Sequence, residues 1–103
     1  MLKINGEIWD IVICSPNHLA LLTSVGTYAL GVCDDTCKTI FIQKGLSREK
    51  MRKVLCHELT HAAMFSYNVD LDYWTEELVA DLIATYGEQI AGETDRMFDY
   101  LTE

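Results

Sequence analysis

The sequence predicts an α+β fold, a small antiparallel sheet packed on two helices. Two observations predict it. Residues up to about Gln43 are rich in β-branched and aromatic side chains divided by turn signals, and from Ser47 onward the apolar spacing changes to that of helices. A chain of 103 residues and 11.7 kDa has room for one core, so residues 1–103 are expected to form a single domain.

Leu2 to Cys14 reads as a short strand, a tight turn at Asn5-Gly6 and a longer strand that Ser15-Pro16-Asn17 ends. His18 to Leu22 fits either a short helix or an irregular crossing. Tyr28 to Val32 and Lys38 to Gln43 are β-prone and flank the turn-forming Asp34-Asp35-Thr36, which predicts an antiparallel hairpin. Ser47 is a good N-cap for a helix running from Arg48 to about Tyr67, with Val54, Leu55, Glu58, His61, Ala62 and Phe65 on one arc. After a break at Asn68 to Asp70, a second helix starts near Asp72 or Thr75 and runs to about Ile90, with Gly92 as its stop. Its stripe of Leu78, Val79, Leu82, Ile83, Tyr86 and Ile90 is expected to be buried, and a last turn or two from Thr94 to Leu101 to pack outside. Trp9 and Trp74 read as core anchors.

Sixteen acids against eight bases give a net charge of −8 and a pI near 4.7, which disfavours nucleic acid or an anionic membrane as partner. No apolar run approaches bilayer length, and Met1 to Cys14 lacks a secretory signal, so a cytoplasmic protein with reduced thiols is expected. Cys33 and Cys37 are spaced like a metal-ligand pair, but no second pair completes a zinc ribbon.

The chemistry lies in His57-Glu58-Leu59-Thr60-His61, an H-E-x-x-H within the first long helix. Imidazoles at i and i+4 project from one face a turn apart and can converge on one tetrahedral ion. Glu58 sits about 100° round the helix, placed to take a proton from a metal-bound water and pass it to a leaving amine. Two histidines leave the site one ligand short. A third histidine in the metzincin arrangement would fall at position 67, where the chain has Tyr67, with Met64 in place of the required glycine. The remaining candidates are carboxylates of the second helix, Glu76, Glu77 and Asp81; Glu77 has an acid one turn on and Glu76 has Ala80. Cys56 points away from the histidines, and Glu88 reads as a solvated charge.

His57-Glu58-Leu59-Thr60-His61 followed by Glu77-Leu78-Val79-Ala80-Asp81 resembles the H-E-x-x-H plus E-x-x-x-D pattern of the gluzincin metallopeptidases. The small size and the run Thr75 to Ala84 are similar to the compact ImmA/IrrE-like metallopeptidases of bacterial phages and mobile elements. The resemblance is specific over roughly Val54 to Tyr86. It implies a minimal zincin-like domain in which the second helix carries the third ligand, with Zn2+ on His57, His61 and Glu77, Glu58 as general base, and Asp81 orienting a histidine. Fifteen residues separate His61 from Glu77, fewer than in larger gluzincins, so the intervening loop must return tightly. No second lobe like that of thermolysin-like enzymes is expected within these 103 residues, and candidates for contacting an oxyanion are Tyr67, Tyr73, Tyr86 and His18.

The function so implied is zinc-dependent hydrolysis of peptide bonds in a protein or peptide substrate, by analogy a phage or host regulatory protein. Lys38 to Gln43, as a sheet edge beside the helix, is expected to hold an extended substrate. The competing reading is a regulatory or interaction protein that keeps the zinc fold without cleaving.

Overall fold

The computed structural model describes residues 2–103. The chain runs through β1 (Leu2–Ile4), β2 (Glu7–Cys14), one turn of 3-10 helix (Leu19–Leu21), β3 (Gly31–Asp34), β4 (Thr39–Gln43), α1 (Arg48–Ser66) and α2 (Tyr73–Leu101). Asn5 and Gly6 connect β1 to β2 with φ of 48° and 80°, the left-handed pair that a two-residue hairpin turn requires.

The four strands form one sheet in the order β1-β2-β4-β3. Here the structure corrects the expected antiparallel sheet, because β2 and β4 pair in parallel, with Ile11 opposite Ile40 and Ile13 opposite Ile42. The β3–β4 hairpin forms as predicted, with Gly31 opposite Ile42 and Asp34 opposite Thr39. It docks through β4, and the segment 15–30 crosses one face of the sheet to let it do so. Parallel pairing needs such a long crossover, and no local pattern reveals it. A second correction follows. Lys38 to Gln43 is an interior strand, and the free edge on that side is β3.

Between the sheet and α1 lies the core of Trp9, Ile40, Ile42 and Ala62, with Leu2, Ile4 and Cys33 from the strands and Val54, Leu55 and Leu59 from α1 packed round it. The crossing segment covers the other side, where Leu21 is fully buried. The Trp9 indole donates to Ser66 Oγ at 2.8 Å and the Asn5 amide to the Ser66 carbonyl at 2.8 Å, tying the first hairpin to the last turn of α1.

Both ends of α1 are set by local chemistry. Ser47 Oγ accepts from Lys50 N–H at the start. At the end Asn68 takes φ 55°, and the bonds Asn68 N–H to Phe65 O and Val69 N–H to Met64 O form a Schellman motif. Asp72 then caps α2 by accepting from Thr75 N–H at 3.0 Å.

On α2 the structure overturns three expectations. Gly92 does not stop it, and the predicted outer turns from Thr94 are its continuation. Only Ala80 is fully buried, while Leu78, Leu82, Ile83, Tyr86 and Ile90 are exposed. Trp74 is 78% exposed rather than a core anchor. The cause is the layer order. The sheet packs on α1 and α2 packs on the far side of α1, turning its face of Glu76, Glu77 and Ala80 inward. The apolar stripe is left as an open groove of about 900 Å³ lined only by α2 residues, among them Leu82, Tyr86, Ile90, Met97, Phe98 and Leu101. No helix of the described residues is long and apolar enough to cross a membrane.

Candidate metal centre

The tight turn between the helices brings the first two turns of α2 against the middle of α1. Carboxylates there are favoured, since a helix N-terminus carries partial positive charge. The helix spacing places His57 and His61 side by side, with their Nε2 atoms 3.2 Å apart. Glu77 reaches both, Oε2 to His57 Nε2 at 3.3 Å and Oε1 to His61 Nε2 at 3.0 Å. These three side chains are the one group among the described residues whose donor atoms converge as metal ligands do, and Cys33 and Cys37 are not part of it.

Each histidine is held from behind by a carboxylate. Asp81 Oδ1 lies 2.9 Å from His57 Nδ1 and Glu76 Oε2 lies 2.6 Å from His61 Nδ1. An ionised carboxylate accepts, so each Nδ1 carries a proton, and in the neutral imidazole this leaves Nε2 as the ring nitrogen that can turn a lone pair to a metal. The two Nε2 atoms and the Glu77 carboxylate converge at 3.0–3.3 Å from one another, an arrangement that suits a divalent cation, or, without one, a proton on either Nε2 donated to Glu77. The donor set is the two-histidine, one-carboxylate combination of catalytic zinc, which leaves a fourth position open.

Glu58 is the next residue round α1 and is buried. Burial pushes its carboxyl pKa up, the neighbouring His57 and His61 oppose this, and the Glu77 charge adds to it. Its Oε2 has no hydrogen-bond partner among the described residues, an orphaned buried oxygen that fits a group waiting for water or substrate. Glu58 and His57 open onto a cavity of about 240 Å³ that Leu30, Gly31, Lys50, Lys53, Val54 and Asp81 complete. Gly31 is required at its wall. A Cβ there would stand 2.6 Å from Val54 Cγ1 and 3.1 Å from Glu58 Cγ.

The structure thus brings together His57, His61, Glu77, Glu58 and Asp81, all singled out in the sequence. Glu76, a rival ligand on sequence grounds, instead braces His61, a role its spacing could not reveal. None of Tyr67, Tyr73, Tyr86 or His18 lines the cavity. His18 is engaged elsewhere, its Nδ1 accepting from Ala20 N–H and its ring stacked on Phe41. Glu88 pairs with Arg52 across the helices at 3.1 Å, exposed on both sides. Cys33 lies behind Glu58 on β3, and burial followed by the Glu58 charge pushes its thiol pKa up to about 12.

No curated protein and no solved structure matches the chain. The sequence profile of the IrrE N-terminal-like domain, a peptidase family, matches residues 20–93, which take in β3, β4, the whole of α1 and most of α2. Such a family points to metallopeptidase-type chemistry on proteins or peptides, in keeping with a histidine pair and glutamate that could hold a metal ion. With well over half its length matched, the chain belongs to the IrrE N-terminal-like domain family.

Proposed function

We propose that the protein is a zinc-dependent peptidase in which His57, His61 and Glu77 hold the metal and Glu58 moves the proton. The observation that carries this reading is the convergence of two imidazole Nε2 atoms on the Glu77 carboxylate, next to Glu58, whose buried Oε2 has no partner among the described residues. Zinc in that position supplies Lewis acidity and brings the pKa of a coordinated water toward neutrality. Glu58 takes the proton from water entering the cavity and returns it to the departing amine, a task suited to a carboxylate whose pKa burial has raised. Asp81 and Glu76 keep the imidazoles in the tautomer the metal needs.

Substrate binding is assigned to β3. The Leu30 carbonyl accepts from Gln43 N–H, so antiparallel alternation turns the backbone groups of Gly31 and Cys33 outward. An extended peptide paired there passes the cavity at Glu58. By analogy with ImmA/IrrE-like peptidases, the substrate is a regulatory protein of a phage or its bacterial host, met in the host cytoplasm.

A second reading, a zinc-containing interaction protein that cleaves nothing, is favoured by the uncovered apolar face of α2. Glu58→Gln separates the two. The peptidase reading expects zinc to be retained and cleavage to fall by about 10²–10⁴-fold, the usual share of a general acid–base. Unchanged turnover or an unchanged biological effect contradicts it.

A further inference from the structure

Five of the eight basic residues of this acidic chain, Lys44, Arg48, Lys50, Arg52 and Lys53, fall between residues 44 and 53. Four of them lie in the first two turns of α1, where the helix dipole disfavours cations. Proteins break local preferences of this kind mainly at functional sites. Arg52 is accounted for by its ion pair with Glu88. Lys50 and Lys53 form no ion pair among the described residues, are exposed, and line the cavity that holds His57 and Glu58.

Resting on the peptidase reading above, we propose that Lys50 and Lys53 form a subsite for an acidic substrate side chain two to three residues from the scissile bond. Lys53 precedes His57 by four residues and Lys50 by seven. At 1.5 Å of rise per residue these are about 6 and 10 Å along the helix. An extended peptide advances roughly 3.3 Å per residue, so a side chain two or three positions from the reacting carbonyl arrives at the lysines. A peptide paired with the free edge of β3 passes this end of α1 at Gly31, which packs on Val54 one residue after Lys53. The other ionisable groups round the histidines, Glu58, Glu76, Glu77 and Asp81, are all acids, and the peptidase reading commits them to the metal, to its histidines or to the proton transfer. An aspartate or glutamate of the substrate therefore finds attraction at the lysine rim, and this sets the register of cleavage.

The test uses the zinc-loaded full chain and a tryptic peptide library from a bacterial lysate, with cleaved bonds identified by mass spectrometry. Wild type is expected to enrich Asp and Glu several-fold two or three residues from the cut. Lys50→Glu/Lys53→Glu is expected to lose that enrichment in favour of Lys and Arg. It should melt no lower than wild type, because acids replace cations at the helix start. Cleavage without acidic enrichment, or the same preference in the double variant, overturns the subsite. If neither protein cleaves any peptide, the peptidase reading fails, and the subsite is judged by binding alone. Rhodamine-labelled hexaglutamate should then bind wild type about tenfold or more tighter than hexaglutamine, and the double variant should abolish the difference. Equal binding of the two peptides to wild type overturns it.

Discussion

Gly31→Ala couples the sheet, the helix and the reacting carboxylate in one substitution. Its Cβ would lie 2.6 Å from Val54 Cγ1, about 1 Å inside a comfortable carbon–carbon contact, and 3.1 Å from Glu58 Cγ. The Phe41 carbonyl at 3.5 Å closes the third side, so the strand cannot simply lift away. Overpacking of this kind costs about 1–3 kcal/mol, and the lost flexibility of the unfolded chain returns roughly 0.4–1 kcal/mol. A net loss of about 1–2 kcal/mol lowers the melting temperature by roughly 4–16 °C in a domain of this size. Thermal and urea unfolding measure it. Val54→Ala opens the space the new methyl needs, so the double variant should recover part of the loss, with a favourable coupling of about 1 kcal/mol. Displacing Glu58 should also slow cleavage, up to about 100-fold for a shift near 1 Å. If Gly31→Ala melts at or above wild type, or the cycle with Val54→Ala shows no coupling, the close packing of β3 on α1 is refuted.

Other expectations follow from single contacts. Ser66→Ala strips the buried Trp9 indole N–H of its acceptor and should cost about 1–3 kcal/mol by urea titration; an unchanged midpoint contradicts the bond. Glu76→Ala should weaken zinc binding by about 10–100-fold in competition with a chelating dye. Asp81→Ala should weaken it less, because Asp81 is 66% exposed against 20% for Glu76; a reversed order contradicts the assignment. In native protein at pH 8, iodoacetamide should label exposed Cys37 and spare Cys33, whose thiol pKa near 12 leaves roughly one part in 10⁴ as thiolate. Because that pKa is raised from 9.0, the stability it contributes is complete below pH 9 and is lost as pH climbs toward 12.

What could be read from the sequence was local. The caps Ser47 and Asp72, the Asn5-Gly6 turn and the histidine spacing act within a few residues, and each stands where it was expected. Glu77 and Asp81 were legible together because one turn of helix separates them, which made their shared face certain. Which face of α2 met α1 was not legible. Ordinary amphipathicity would bury Leu78, Leu82 and Tyr86, whereas the histidines draw the carboxylate face inward and leave those side chains exposed. The periodicity identified the stripe, and only the partner helix decides its fate. Gly92 misled for a related reason. A glycine ends a helix when its backbone turns left-handed, and here it stays helical between Ile90 and Glu93 at a cost of about 1 kcal/mol. The parallel pairing of β2 with β4 depends on residues almost thirty apart, such as Ile11 and Ile40, and nothing in either strand's own pattern encodes it.

The central claim is that His57, His61 and Glu77 hold one zinc ion. Metal analysis of the purified chain by plasma mass spectrometry, beside His61→Ala and Glu58→Gln, tests it most directly. The expected result is one zinc per chain in wild type and in Glu58→Gln, and none in His61→Ala. Wild type that takes up no zinc, or His61→Ala that keeps a full equivalent, contradicts the claim.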